Sequence, residues 1–192
     1  KGHEAYMINF DISNIKNNKN QKEIDVLFFG VLTPDRKEFL DYITKEGISL
    51  KNVGHKEHVV GLPKDELIKL ISKSKIVINF SKSKTTSVLN YASGNIYSFH
   101  YQFKGRVSLA GLLGAACVSE YSPGQEIIFK EDELPTFFTK EECVKILKEI
   151  LNNSEALEAY SNKFHQKCLE FDDKNYIKKI IQFIDSIKSN NF

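Results

Sequence analysis

The sequence lacks the features that identify several common classes of protein. Its 192 residues carry a formal net charge of only +2, and the scattered lysines are balanced by nearly as many acidic residues, which does not indicate a nucleic-acid-binding surface. No apolar run approaches the roughly 20 residues that span a bilayer, and no signal peptide is recognisable. We therefore expect a cytoplasmic protein, with peripheral attachment to a membrane as the alternative. The missing initiating methionine predicts a fragment.

Cysteine is scarce, and the usual catalytic motifs are missing. Cys117, Cys143 and Cys168 show no metal-ligand spacing and leave one cysteine unpaired, which is typical of a reduced cytosolic protein that uses cysteine as a small apolar residue. No Ser/His/Asp set, paired histidines or Asp-x-Asp motif stands out, and no Gly-x-Gly-x-x-Gly follows the first apolar run. Hydrolase, metal-dependent and nicotinamide-binding functions therefore have little support, and we expect neither a metal nor a cofactor.

Short β-prone runs that alternate with helical patterns predict one α/β domain. Residues 1–23 include an Asn/Lys-rich stretch that buries little surface, so we expect a linker there and a domain over residues 24–190. The strand candidates are residues 25–30, 48–53, 76–80, 116–118, 127–129 and 134–138. The helix candidates are residues 34–46, with Gly47 as the stop, 64–72, 107–113, 140–151, 154–171 and 174–188. This order predicts a Rossmann-like, doubly wound, mainly parallel sheet with C-terminal helices.

The stretch from Tyr101 to Glu126 is the candidate functional centre. It runs from an aromatic and basic loop into a small-residue helix, then through a short strand into a glycine turn. A helix N-terminus and a post-strand loop would then lie close together at the carboxyl edge of the sheet, and both are natural anion sites. Within this stretch, Lys104 and Arg106 precede the helix, where a guanidinium is able to make two hydrogen bonds to a diphosphate.

A second basic position lies near the first strand. Gly30 closes that strand, and Arg36 lies in the first turn of the following helix, where a cation favours phosphate. The alternative is that Arg36 is an ordinary solvated charge. The small residues of the central helix, Ser108, Ala110 and Gly111, let the backbone approach either a ligand or a packed neighbour, and the sequence does not separate the two.

Loops supply the remaining candidates. Residues 81–100 carry no periodicity, and a loop of that length is usually functional. Tyr101 belongs to an alternating aromatic run that suits stacking on a base or sugar, or equally an exposed strand edge, and His100 within it is a weak candidate for a phosphate ligand or base. After the fourth strand, Gly124 frees the backbone to meet a ligand and Glu126 is able to accept hydrogen bonds from hydroxyls, unless this is only a surface turn.

The order of several short motifs is more specific than any one of them. Along the chain they are Asp25-Val26-Leu27-Phe28-Phe29-Gly30, Arg36, Gly61-Leu62-Pro63, Glu66-Leu67, Ser74-Lys75-Ile76-Val77-Ile78-Asn79, Arg106, Gly114-Ala115 and Pro123-Gly124-Gln125-Glu126. In this order they resemble the C-terminal donor-binding half of a GT-B glycosyltransferase over about residues 24–188. The branch that they resemble most is the one related to the spore-maturation CgeB-like proteins.

The resemblance implies that a nucleotide-sugar, with UDP, GDP or CMP as its nucleotide, lies across the carboxyl edge of the sheet. It places the diphosphate near Gly30 and Arg36, the base near residues 60–62, phosphate or ribose near Arg106, and the sugar near residues 124–126. The full set of implied substrate-binding residues is Gly30, Arg36, Gly61, Leu62, Tyr101, Lys104, Arg106, Gly124, Gln125 and Glu126.

The chain also departs from that family pattern. Many retaining members carry two glutamates, which the resemblance places at Tyr101 and Leu109, and neither position is acidic here. Either Glu120 or Glu126 replaces the ribose-binding carboxylate, or the donor is held differently, or the domain has lost catalysis. The resemblance further implies an absent N-terminal domain that supplies the acceptor site and against which the final helix packs.

The resemblance therefore implies a hexosyltransferase-like donor-binding domain that serves a glycan acceptor, with surface polysaccharide synthesis as the usual setting. Two alternatives stay open. The first is a non-catalytic nucleotide-sugar-binding module, which the missing glutamates favour. The second is a protein-interaction α/β domain that uses the apolar stripe of residues 176–187 as its docking surface.

Overall fold

The computed structural model describes residues 22–56, 61–82, 101–170 and 173–189. Within them the strands are β1 (Ile24–Val31), β2 (Leu50–His55), β3 (Ser74–Asn79), β4 (Ala116–Glu120) and β5 (Thr136–Phe137). The helices are α1 (Pro34–Lys45), α2 (Lys64–Ser72), α3 (Gly105–Leu112), α4 (Gln125–Ile128), α5 (Lys140–Leu151), α6 (Ser154–Leu169) and α7 (Asp173–Ser189). All strand pairs are parallel in the order β2-β1-β3-β4-β5, which confirms the predicted Rossmann-like sheet.

The strand order creates a crevice at the carboxyl edge of the sheet. β1 lies between β2 and β3, so the chain turns to one side after β1 and to the other side after β3. Ligands of open α/β sheets bind at such a reversal, outside the carboxyl ends of the strands. In the register of the sheet, Gly30 of β1 is beside Gly54 of β2, and Asn79 of β3 is beside Ser119 of β4. These positions form the floor of the crevice.

Two apolar cores cover the two faces of the sheet. Alternate residues of β1 and β3 point to opposite faces, and both sets are buried, which explains why these strands read as continuous apolar runs. One core packs the sheet against α1 and α5, and includes Phe28, Leu40 and Leu147. The other core packs the sheet against α2, α3 and α6, and includes Leu27. Each buried large side chain contributes about 1.5–3 kcal/mol.

The helix starts follow the capping signals in the sequence. The Thr33 hydroxyl accepts a hydrogen bond from the Arg36 amide at 3.4 Å, and Pro34 occupies the first helical position of α1. Thr139 and Glu142 form a reciprocal capping box at the start of α5. Because these caps satisfy amides that would otherwise lack partners, they fix where α1 and α5 begin and therefore where Arg36 lies.

The small residues of α3 are explained by packing. A Cβ atom added to Gly111 would lie 2.3 Å from Cys168 Sγ and 3.0 Å from the Phe164 ring. Nδ1 of the His165 imidazole lies 2.7 Å from the Gly111 carbonyl oxygen. α3 and α6 therefore touch along a surface that only glycine allows at this point, and Gly111 serves this contact between the two helices.

The strand predicted at residues 127–129 is wrong. Gly124 has φ of +87° and turns the chain into the short helix α4, whose hydrogen bonds include Phe129 N to Gln125 O at 2.9 Å. Ile127 is 86% exposed while Phe129 is buried. Side chains two positions apart point to opposite sides of a helical turn, whereas in a strand they point to the same side. The predicted extended segment at residues 134–138 shortens to the two residues of β5, and α3 begins two residues earlier than expected, so that it includes Arg106.

Lys22 connects two helix ends at the amino edge of the sheet. Lys22 Nζ donates to Ser72 O at 2.9 Å and to Gly114 O at 2.8 Å, so one ammonium group binds carbonyls at the ends of α2 and α3. Burial lowers the pKa of Lys22 to about 8. The linker predicted over residues 1–23 falls mostly outside the described residues.

Two further sequence expectations concern cysteine and membranes. All three cysteines are free and buried, and burial raises the pKa of each thiol. They therefore serve as small apolar side chains of the two cores. Among the helices of the described ranges, none combines the length and apolar character needed to cross a bilayer.

Candidate functional site

Both arginines of the chain lie at the carboxyl end of β1. The sequence contains 25 lysines and only two arginines, Arg36 and Arg106. Arg36 comes from α1 on one face of the sheet, and Arg106 comes from the first turn of α3 on the other face. A chain that uses lysine almost everywhere has kept the rigid, always charged guanidinium at these two positions. The scarcity of arginine is visible in the sequence, and it is a further signal for the same two residues that the sequence motifs indicate.

Arg36 is bound to main-chain oxygen. Its side chain is only 7% exposed, and its two terminal nitrogens donate to Val31 O at 2.7 Å and to Lys82 O at 2.9 Å. The guanidinium carbon also lies 5.8 Å from the centre of the Phe80 ring. Arg36 therefore joins the chain that leaves β1 to the chain that leaves β3.

Arg106 occupies the space beside Gly30. Its Nη1 donates to Phe29 O at 2.7 Å, and its guanidinium lies against the faces of Phe28 and Phe29 at 5.9 and 5.6 Å from the ring centres. A Cβ atom on Gly30 would lie 2.6 Å from Arg106 Nη2, and Gly30 has φ of +114°. Glycine is required here both for the backbone conformation and for the space that the guanidinium fills.

The two guanidinium groups differ in their electrostatic surroundings. Burial lowers the pKa of Arg36, while the carboxylates of Glu120 and Asp35 act in the opposite direction. Burial, followed by repulsion from Arg36, lowers the pKa of Arg106 to about 10, and no carboxylate of the described residues counteracts this. Arg106 is still charged at neutral pH, so the crevice holds a partly desolvated positive charge that Arg36 repels.

Glu120 and Lys82 continue the floor of the crevice towards β4. Glu120 ends β4 and is partly buried, and its Oε2 accepts a hydrogen bond from the Lys82 amide at 2.9 Å. Lys82 pairs with Tyr101 across an isolated antiparallel bridge, and the Gln102 amide donates to Ser81 O at 2.9 Å. The chain segments on either side of residues 83–100 are therefore held together at this edge.

A buried cluster of uncharged polar groups lies beneath Glu120. Asn79 Nδ2 donates to Ser119 Oγ at 2.8 Å and to Ser81 Oγ at 3.3 Å, and both hydroxyls donate to the Glu120 main-chain oxygen, at 2.6 Å from Ser81 and 2.9 Å from Ser119. Asn79 Oδ1 is buried and has no hydrogen-bond partner among the described residues. No sequence motif singles out this cluster, because serine and asparagine at strand ends are also common in turns.

The predicted residues near α3 are brought to the same edge. Tyr101 is partly buried, and Lys82 Nζ lies 5.8 Å from the centre of its ring. Lys104 immediately precedes α3, and its Nζ donates to Gln102 Oε1. Leu109, where the family pattern places a glutamate, is only 5% exposed and belongs to the apolar core. An acidic residue at that position would therefore be unfavourable in this packing.

Residues 124–126 are split between the interior and the surface. Gly124 precedes α4, Gln125 is 4% exposed with Oε1 3.5 Å from Ser119 Oγ, and Glu126 is exposed with Oε1 3.4 Å from the Tyr121 hydroxyl. Gln125 therefore belongs to the buried polar cluster, whereas Glu126 points to solvent. Of the two carboxylates that the sequence offered as replacements, Glu120 lies at the crevice with Arg36, and Glu126 lies outside it.

The remaining predicted residues lie near the end of β2. A Cβ atom on Gly61 would lie 3.1 Å from the His55 ring, and Leu62 beside it is partly buried. β2 adjoins β1, so this pair is on the same edge as the arginines, one strand further out. His100 and the aromatic residues before it lie outside the described residues.

The chemistry of the assembled groups suits an anion that carries phosphate. In the part of the chain that the structure describes, no cluster of three or more His, Cys, Asp or Glu side chains is arranged to hold a metal ion. Two guanidinium groups, a helix N-terminus and a glycine strand end converge on one crevice.

Comparison with known proteins gives two results. A family model described as "Glycosyl transferase-like" matches residues 15–184. Two crystal structures of α1,3-fucosyltransferase, one of them with GDP, share the fold with a TM-score of 0.55 each and 15% and 14% sequence identity. They cover 90% of this chain, and the chain spans about half of their length, 48% and 49%. A search of curated proteins finds no match.

Proposed function

The chain belongs to the glycosyl transferase-like family, and from that premise we propose that it is the donor-binding half of a GT-B glycosyltransferase. It would bind a nucleotide-sugar in the crevice between β1 and β3 and present the sugar for transfer to an acceptor. The observation that carries this proposal is Arg106, a partly desolvated guanidinium without a carboxylate partner among the described residues, at the reversal of strand order. A diphosphate supplies the missing negative charge.

The start of α3 adds backbone donors to this charge. No side chain of the described residues caps α3 at Lys104, and Arg106 lies within the first turn. The Val107 amide already donates to Lys104 O at 3.0 Å, so the two amides before it are the donors that this helix start would offer to an anion. Gly30 opposite has no side chain, which lets a diphosphate approach the strand end. These groups would position the donor and stabilise the departing diphosphate, a role that needs neither a protein nucleophile nor a divalent cation.

We propose positions for the nucleotide and the sugar along the same edge of the sheet. Because one fucosyltransferase of similar fold was crystallised with GDP, we propose GDP as the first nucleotide to test, with UDP and CMP as the alternatives. The base would lie towards Gly61 and Leu62 beyond β2, and the sugar towards Tyr101, Gly124 and its neighbours at β4. Hexosyl transfer to a glycan acceptor, in surface polysaccharide synthesis, is the corresponding reaction.

The second half of the enzyme is expected to pack against α7. Six large apolar side chains of that helix are exposed, which is unfavourable in a free protein. They are Ile177, Ile180, Ile181, Phe183, Ile184 and Ile187. Since the chain spans about half of the fucosyltransferases it matches, at 48% and 49%, we propose that an N-terminal GT-B domain covers this helix and supplies the acceptor site. The same row of residues also supports the rival function, a protein-interaction domain without nucleotide affinity.

The test is a calorimetric titration of the chain with GDP, UDP and CMP, repeated on Arg106→Met. Loss of a charge-assisted contact should weaken binding of the preferred nucleotide by about 30-fold or more. Lys145→Met is the matched control, because it removes the same charge from an exposed position on α5 and should leave the affinity unchanged.

If the isolated chain binds none of the three nucleotides, a second experiment follows. The titration is then repeated on a longer protein that contains both halves. Binding by that protein, lost in Arg106→Met, would support the proposal and show that the crevice needs its partner domain. If the two-domain protein binds none of the three nucleotides, the sugar-transfer proposal is wrong and the interaction domain is favoured.

A further inference from the structure

We propose that Glu120 is a positioning residue, which holds Arg36 in place through the backbone of Lys82 and so sets the shape of the crevice. Arg36 and Glu120 would then not contact the ligand, and Arg106 would be the guanidinium that meets the diphosphate. The effect on ligand binding rests on the proposed function, whereas the contact between Glu120 and Arg36 does not.

Lys82 connects the two charged residues through its main chain. Its amide donates to Glu120 Oε2 at 2.9 Å, and its carbonyl oxygen accepts from Arg36 Nη2 at 2.9 Å. The same arginine donates to Val31 O at 2.7 Å. A continuous series of hydrogen bonds therefore runs from the end of β4, through Lys82 in the segment after β3, to the end of β1.

Glu120 is itself held rigidly. Its main-chain oxygen accepts hydrogen bonds from two buried hydroxyls, those of Ser81 and Ser119. Both are fixed in turn by Asn79, which is fully buried. These bonds fix the main chain of Glu120, so its side chain extends towards the Lys82 amide from a position that the core of the sheet sets.

The arrangement also separates the two positive charges by role. Glu120 lies close enough to Arg36 for its charge to favour the guanidinium, whereas Arg106 is affected by no carboxylate of the described residues. Arg36 is 7% exposed and both terminal nitrogens are occupied, so little of it remains for a ligand. A buried guanidinium that a nearby carboxylate favours suits a residue that holds the backbone.

The test compares Glu120→Gln with Glu120→Ala. Both variants remove the negative charge, but only glutamine keeps an oxygen that accepts from the Lys82 amide. Any difference between them therefore reports the hydrogen bond, with the charge held constant. Binding of GDP and of inorganic pyrophosphate is measured by calorimetry for each. We expect Glu120→Ala to bind both ligands about fivefold more weakly than Glu120→Gln.

The ligand pair separates positioning from direct contact. Inorganic pyrophosphate has no ribose, so a difference confined to GDP would mean that Glu120 contacts nucleoside hydroxyls and would overturn the proposal. The comparison is then repeated in an Arg36→Met background. The difference between alanine and glutamine should vanish there, because the residue that Glu120 positions is gone. A difference that survives would also overturn the proposal.

A second readout needs no ligand, so it stands even if the proposed function fails. Labelling with ¹⁵N-arginine gives two side-chain Nε–H signals, since the chain has two arginines, and Arg106→Met assigns them. Glu120→Ala should shift the Arg36 signal and leave the Arg106 signal in place, and Glu120→Gln should restore the Arg36 signal. If the Arg36 signal is the same in both variants, Glu120 does not position Arg36.

Discussion

Arg36 and Arg106 reach the same strand end from opposite faces of the sheet, yet the structure surrounds them differently. Arg36 binds two main-chain oxygens, is 7% exposed, and has Glu120 and Asp35 nearby. Among the described residues, Arg106 makes one hydrogen bond to main-chain oxygen, at Phe29, and repulsion from Arg36 raises the cost of its charge. Among those residues, the number of partners and the presence of a carboxylate therefore distinguish the surroundings of the two guanidinium groups.

This difference shows why residue type and strand position do not define a site. Both arginines satisfy the rule that cations beside helix N-termini favour phosphate. Among the described residues, a carboxylate favours the charge of Arg36 and none favours that of Arg106. Substitutions at the two arginines and beside them test this contrast.

The largest effect is expected for the stability of Arg36→Met. The substitution removes a buried guanidinium and its two partly buried hydrogen bonds to Val31 O and Lys82 O, and we expect the free energy of unfolding to fall by about 3 kcal/mol. Arg106→Met should lower it by about 1 kcal/mol at most, because one carbonyl loses its donor while the repulsion of Arg36 is relieved. Urea unfolding of both variants measures this. Equal losses would contradict the division of roles.

The next largest effect is expected at Gly30, which lies between the two residues of β1 whose carbonyl oxygens bind the arginines, Phe29 and Val31. Gly30→Ala places a side chain at φ of +114° and 2.6 Å from Arg106 Nη2, so we expect a loss of about 2 kcal/mol and displacement of the guanidinium. The matched control is Gly47→Ala, which has φ of +85° but nothing within 4 Å of the new Cβ atom.

The control separates backbone strain from displacement of Arg106. Both glycine variants should lose stability in urea unfolding, since both place alanine in the left-handed region. Only Gly30→Ala should also weaken nucleotide binding in calorimetry. If Gly47→Ala weakens binding equally, the effect comes from general destabilisation, and Gly30 has no special relation to Arg106.

The smallest effect is expected for Lys22, at the opposite edge of the sheet. Like Arg36 it is a cation that binds main-chain oxygens, but its ammonium group can lose its proton at moderately high pH. It also donates to two carbonyl oxygens, and burial lowers its pKa to about 8 from an ordinary 10.5. Between these values the unfolded chain binds more protons than the folded chain, so the contribution of Lys22 to the free energy of unfolding rises with pH.

The size of this contribution is modest because Lys22 is only partly buried. From pH 7.5 to 9.5 the wild type should gain about 1 kcal/mol relative to Lys22→Met. Arg36→Met, compared in the same way, should show no such pH dependence, because the guanidinium stays charged. Parallel stability profiles for the wild type and Lys22→Met would show that the ammonium is not desolvated in solution.

Local sequence signals predicted most of the fold. The apolar runs of β1 and β3 are buried on both faces, so they read as strands without knowledge of their neighbours. Thr33 caps α1, as the sequence predicted. β5 was poorly predicted because two residues carry too little pattern, and α4 was missed because neighbouring apolar residues suit a strand as well as a helical turn.

The sequence by itself indicated most of the strands and helices in their order, and it shows the scarcity of arginine. The tertiary structure alone decided that both arginines lie at the end of β1 and that Arg36 binds two main-chain oxygens there. Arg106 meets a strand 77 positions earlier in the chain, and Arg36 meets Lys82 across 46 positions. Local propensity carries no information about contacts at such separations, since they depend on how strands and helices pack together.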